Sequence, residues 1–277
     1  MKSFVDFFLF SALFIACCAV ALCMETNLLL GLPTNHWSVY AFVFGATLVQ
    51  YNLHYFFKPD KPIITERARW TAANRNNQVR MLAIGGLMVL VSLWWLQPRH
   101  FLVMVVLAIL AALYSFPLLP FRRKRLKEYG GLKIILLSLE WTLVTVWFPV
   151  DQTGLDPADF WLVMVRRFIF MWVLCLAFDI RDREVDALDG IRTLPVRWGV
   201  GRAYLFTDIA LGFFVLLSAW QLARTGAFAF FHAMLLSALC TRIVIQATKR
   251  MNNDYLYLAG VDGMMLLQAL LVVIGTI

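Results

Sequence analysis

Nine apolar stretches run along the chain at roughly 4–24, 37–57, 81–97, 101–118, 132–149, 160–178, 203–222, 228–247 and 257–276. Each is close to the roughly 20 residues that a helix needs to cross a bilayer core. Polar residues fall between the stretches rather than alternating within them, so the pattern predicts helices and no strands. The third and fourth are separated only by Gln97–His100, which predicts a tight helical hairpin. The first stretch follows Lys2 and is too long for the 7–15-residue apolar core of a signal peptide, so it reads as a retained span. No internal repeat, Gly/Ser/Pro-rich linker or polar domain interrupts the series. The fold class expected is all-α, a nine-helix polytopic membrane bundle formed by one domain over residues 1–277.

Composition strengthens that picture. Hydrophobic residues make up 61 % of the chain and charged residues 15 %, against about 25 % charged in a soluble domain. So little polar surface excludes a soluble globule, and the apolar content excludes a disordered chain. The five cysteines (17, 18, 23, 175 and 240) all lie inside apolar stretches, without metal-ligand spacing. They read as small hydrophobes.

The net charge of +8 changes meaning once its distribution is counted. With alternating connections, 20 Lys and Arg fall on the side of the N-terminus and four (Arg99, Arg166, Arg167 and Arg224) on the other. That asymmetry predicts a cytoplasmic N-terminus and an outside C-terminus. It accounts for the basic charge without nucleic acid, and a bacterial inner membrane is the expected location.

The chemically distinctive residues sit in three cytoplasmic connections. Asp179, Asp182 and Asp186 are spaced by three and four, which on a continuing helix stacks their carboxylates on one face. Crowded carboxylates call for a cation, and an all-oxygen set suits a hard ion such as Mg²⁺, which commonly joins carboxylates to phosphates. A second connection carries Tyr114-Ser-Phe-Pro and the basic run Arg122, Arg123, Lys124, Arg125 and Lys127, suited to phosphate or to anionic headgroups. The third holds Asn52 and His54 on an aromatic helix end, followed by Lys58, Asp60 and Lys61. Within the spans, Glu140 is expected to pair with Arg166 or Arg167, and Arg242 also needs a partner.

Together these segments resemble the UbiA superfamily of intramembrane prenyltransferases. Asp179-Ile-Arg-Asp-Arg-Glu-Val-Asp186 with Gly190-Ile-Arg-Thr-Leu-Pro195 is similar to the family's second aspartate-rich motif and its tail. Tyr114-Ser-Phe-Pro with the basic residues after it is similar to the family's Tyr-(Ser/Thr)-x-Pro segment. The first motif departs from the family pattern: Asn52 matches, but Leu53 and Phe56 stand where two aspartates are usual. One metal site is then absent or rebuilt from Asn52, His54, Asp60 or Glu66.

The resemblance implies a cavity opening to the cytoplasm, with Asp179, Asp182 and Asp186 as catalytic metal ligands for Mg²⁺. It implies donor binding by Asn52, His54, Lys58, Asp60, Lys61, Tyr114 and the 122–127 basic residues. The activity implied is transfer of an isoprenyl group from a prenyl diphosphate to a lipophilic, aromatic acceptor, with Tyr51, Tyr55 and Trp141 available to shield a cation. Two other readings stay open: a non-catalytic relative that binds isoprenoid lipid or a partner protein, and an unrelated carrier.

Overall fold

The computed structural model describes residues 2–56, 66–115, 129–251 and 253–276; for Lys2, Tyr55, Phe56, Tyr114 and Ser115 it describes only the helical backbone. The described residues form helices and turns, with no strand among them. The chain opens with α1 (Lys2–Phe10) and α2 (Leu13–Leu29), bent by 55° at Ser11–Ala12. Ala12 takes a left-handed backbone, with φ of +71°. Asn52 braces this bend, its Nδ2 donating to the Ser11 carbonyl at 2.9 Å and to the Leu48 carbonyl at 2.9 Å.

Next come α3 (Trp37–Phe56), the short α4 (Glu66–Ala73), α5 (Arg75–Leu93) and α6 (Pro98–Ser115). Helices α3 and α5 pack through facing glycines. A Cβ on Gly45 would meet the Gly85 carbonyl oxygen at 2.7 Å, and one on Gly85 would meet that of Gly45 at 2.8 Å. Such small residues let helix backbones approach closely in a bilayer, where apolar burial alone gives helices little reason to associate.

Helix α7 (Gly130–Thr142) runs into a π-helical turn at Leu143–Trp147. Helix α8 (Pro157–Arg181) starts where Asp156 accepts from the Ala158 amide at 2.9 Å, with Pro157 in the first helical position. It is the most buried of the long apolar helices, and Phe170, Leu174, Leu176 and Ala177 lie in the largest core cluster. Two short helices follow, α9 (Arg183–Leu188) and α10 (Leu194–Trp198), then α11 (Val200–Thr225) and α12 (Phe228–Ala247). A π-helical turn at Leu256–Val261 leads into α13 (Gly263–Ile274).

Five helical stretches among the described residues are long and apolar enough to cross a membrane: Gly130–Trp147, Pro157–Arg181, Val200–Thr225, Phe228–Ala247 and Leu256–Ile274. The bent α1–α2 pair makes a sixth. Helices α3, α5 and α6 follow the expected stretches, but α5 begins with the polar Arg75-Asn-Asn-Gln, and the apolar part of α6 is shorter, at Pro98–Leu113. Leu90, Leu102, Phe213, Leu216 and Ile243 are exposed on the helices. Large apolar side chains directed outward from an already packed core are what a lipid-facing surface requires.

Candidate functional site

The site is built at the inner end of α8. Helix α8 stops at Arg181, Asp182 caps it, and α9 resumes at Arg183. The helical path nearly continues, because the Asp182 amide donates to the Phe178 carbonyl and the Asp186 amide to the Asp182 carbonyl, each at 2.9 Å. Seven residues are close to two full turns, so Asp179 and Asp186 share a face. Both are buried, with 2 % and 6 % of their surface exposed.

Lys133 stands between them. It lies in the first turn of α7, and its Nζ reaches Asp179 Oδ1 at 2.9 Å and Asp186 Oδ2 at 3.1 Å. Asp182, expected on the same face, is instead held by Arg181, which donates Nε to Oδ1 at 2.8 Å and its second terminal nitrogen to Oδ2 at 3.2 Å. The expected stack of three carboxylates is therefore two around an ammonium, with the third turned to a guanidinium. Two causes act together: the helix breaks at Asp182, and Lys133 supplies the charge that crowded carboxylates need. Among the described residues, no three of His, Cys, Asp and Glu converge as a metal set. Burial pushes the Asp186 carboxyl above its ordinary pKa, against the pull of Lys133.

Whether a divalent ion suits these residues turns on Asp179. Its Oδ2 is buried and, among the described residues, has no hydrogen-bond partner. An unsatisfied carboxylate oxygen in a buried site is costly. It is a hard oxygen ligand beside the Asp186 carboxylate across Lys133, and this donor chemistry fits a Mg²⁺-like ion.

The tail of the motif is locked to the helix that carries Lys133. The Ile191 amide returns to the Asp186 carbonyl at 2.8 Å, after Gly190 takes φ of +71°. Gly130, at the start of α7, lies against the backbone of Arg192 and Thr193. A Cβ there would sit 2.2 Å from the Arg192 carbonyl.

A second group of charges flanks the first. Asp254 accepts from the backbone amide of Arg67 at 2.8 Å and pairs with Arg181 at 3.7 Å, tying α4 and the turn before α13 to the end of α8. The Arg181 guanidinium lies over the rings of Phe178 and Tyr257, at 4.9 and 5.2 Å. Arg67 lies 5.7 Å from the Tyr51 ring, and Tyr51 meets Trp141 edge-on at 6.4 Å. Asp262 is buried between the π-helical turn and α13.

Sequence reasoning counted Lys133 and Arg67 only as topology markers and passed over Asp254 and Asp262. A lysine opening an apolar helix and two acids bracketing the last span's start were the available signals.

The other expected residues divide. Asn52 is buried and spends its amide on the Ser11 and Leu48 carbonyls, whereas His54 is exposed. Two residues apart on a helix, they point to nearly opposite sides, so they do not form one ligand pair. Glu66 is exposed at the start of α4. Lys58, Asp60, Lys61, Arg122, Arg123, Lys124, Arg125 and Lys127 lie outside the described residues, as does the side chain of Tyr114 on α6.

The expected pairing of Glu140 is corrected. Arg167 pairs with Glu25 of α2 at 3.0 Å, and Arg166 donates to Gln221 of α11. Glu140 Oε1 is buried and, among the described residues, has no hydrogen-bond partner. Arg242 pairs with Asp208 at 3.0 Å.

No curated protein sequence matches the chain. Solved structures match over nearly its whole length. A UbiA homologue from Archaeoglobus fulgidus is 14 % identical over 98 % of both chains, with a TM-score of 0.67. A UbiA homologue from the same organism, bound to GPP and Mg²⁺, is 14 % identical over 96 % of this chain and 98 % of that one, at 0.65. The apo structure of a UbiA homologue from Aeropyrum pernix K1 is 16 % identical over 94 % and 95 %, at 0.57. At these identities the likeness establishes the fold. Residues 64–258 match the model of the UbiA prenyltransferase family, a stretch that includes Lys133, the 179–186 acids and the Gly190–Pro195 tail. With more than half of its residues matched, this chain belongs to the UbiA prenyltransferase family.

Proposed function

We propose that the chain is a Mg²⁺-dependent enzyme of a bacterial inner membrane that moves an isoprenyl group from a prenyl diphosphate to a lipophilic, aromatic acceptor. In this reading it crosses the membrane nine times as one domain, with its N-terminus inside, its C-terminus outside and its cavity open to the cytoplasm. The observation that carries the proposal is the buried pair of Asp179 and Asp186 around Lys133, with Asp179 Oδ2 left without a hydrogen-bond partner among the described residues. Charge of both signs at the end of an apolar helix is expensive in a membrane and tends to mark function.

Asp179, Asp182 and Asp186 would hold the ion, which when bound supplies positive charge to the departing diphosphate. Lys133, which stands between Asp179 and Asp186, would offer the phosphate oxygens an ammonium donor. Arg122, Arg123, Lys124, Arg125 and Lys127, with Lys58 and Lys61, extend the cationic surface in this reading. The Tyr51–Trp141 pair presents aromatic faces that stabilise a developing allylic cation and keep water from it. Ionisation breaks the C–O bond to the diphosphate, and the acceptor's ring carbon then forms the new C–C bond and loses a proton.

A second reading, a non-catalytic relative that binds isoprenoid lipid, draws on one observation. Asn52 is committed to the α1–α2 bend, and Leu53 and Phe56 follow it where carboxylates are expected. Incubation of membranes carrying the protein with a labelled prenyl diphosphate separates the two. Formation of a lipid-extractable product that EDTA abolishes and Mg²⁺ restores is the expected result. Labelled donor retained without turnover supports the second reading.

A further inference from the structure

The two carboxylates that face each other across the site already share one cation, a lysine from another helix. Lys133 Nζ lies 2.9 Å from Asp179, and 3.1 and 3.4 Å from the two oxygens of Asp186. The ammonium is largely enclosed, with 17 % of its side chain exposed. Its helix is fixed to the same motif, because Gly130 abuts the Arg192–Thr193 backbone. The lysine is thus tethered to the acids it neutralises. One oxygen, Asp179 Oδ2, is left buried and without a partner among the described residues.

We propose that Lys133 is a built-in counter-cation that competes with a divalent ion for Asp179 and Asp186, so that the ion and a diphosphate must load together. The inference rests on the functional reading above. A divalent ion gains less from carboxylates that an ammonium already neutralises than from a bare pair. A diphosphate gives that ammonium a different acceptor, freeing the carboxylates for the ion. Each ligand then strengthens the other, and linkage requires the effect to be mutual. The device would keep the site from filling with a divalent ion before the donor arrives.

The test uses the full chain purified in detergent, with Mn²⁺ as the probe and free Mn²⁺ followed by electron paramagnetic resonance. For the wild type, inorganic diphosphate is expected to tighten Mn²⁺ binding about tenfold or more, compared at equal free Mn²⁺. Lys133→Gln is expected to bind Mn²⁺ about tenfold more tightly without diphosphate, and to lose most of the further gain on adding it. Because Lys133→Gln leaves two buried carboxylates facing each other, Lys133→Gln/Asp186→Asn serves as a charge-balanced companion. It too is expected to lose the diphosphate effect. Unchanged Mn²⁺ affinity in Lys133→Gln, a diphosphate effect that survives in either variant, or no Mn²⁺ binding by any form would overturn the proposal. Prenyl transfer is scored separately. Lys133-dependent coupling without transfer sinks the functional reading alone, and transfer with Lys133-independent Mn²⁺ binding sinks this inference alone.

Discussion

At the scale of single residues, this protein places charge where lipid penalises it and then matches it across helices. Arg167 and Glu25 are both nearly fully buried, 3.0 Å apart, and Arg167 also reaches the Leu22 carbonyl and the Thr26 hydroxyl of α2. Removing one partner of a buried pair strands the other, at a cost of about 3–5 kcal/mol. Arg167→Gln is therefore expected to lower the melting temperature in detergent sharply, and Glu25→Gln/Arg167→Gln to recover most of the loss. Equal melting of the single and double variants would show that the pair is not coupled. The pairing also shows where residue-level reading stops. Glu140 and Arg167 were both visible as intramembrane charges, but spacing along the chain does not say which helices become neighbours. Asn52 teaches the same lesson: a polar residue at a family motif position is spent here on the carbonyl exposed by a helix bend.

At the scale of elements, the site depends on how α7 meets the loop after α9. Gly130 leaves no space for a side chain, whereas Gly131 beside it faces open space. Gly130→Ala is expected to push the Arg192–Thr193 segment away from α7, cost about 1–3 kcal/mol of stability and reduce prenyl transfer. Gly131→Ala is the control that leaves both nearly unchanged, and thermal melts with transfer assays on the two variants check this.

Much of the helical framework was legible, because long apolar stretches separated by basic connections have few other physical solutions. The acidic motif was legible as a cluster, but its internal geometry was not. Helical spacing put Asp179 and Asp186 on one face, as found, and also put Asp182 there. The break at Asp182 and the side chain of Arg181 decide otherwise. Lys133 was hidden because a lysine entering a membrane helix usually marks topology alone.

At the scale of the whole molecule, one cluster of charges gathers at the inner end of α8, the most buried of the long apolar helices. Lys133, Asp179 and Asp186 come from α7, α8 and α9, and Arg181, Asp254 and Arg67 tie the start of α4 and the turn before α13 to the same place. The account makes that convergence a diphosphate-handling site, with Asp179 at its most buried point. The direct measurement is transfer of a labelled prenyl group by purified protein in lipid vesicles with Mg²⁺, comparing wild type with Asp179→Asn of equal thermal stability. The account predicts product from the wild type and at least about a hundredfold less from Asp179→Asn, the scale at which an electrostatic catalytic group is lost. Equal product from the two would contradict it.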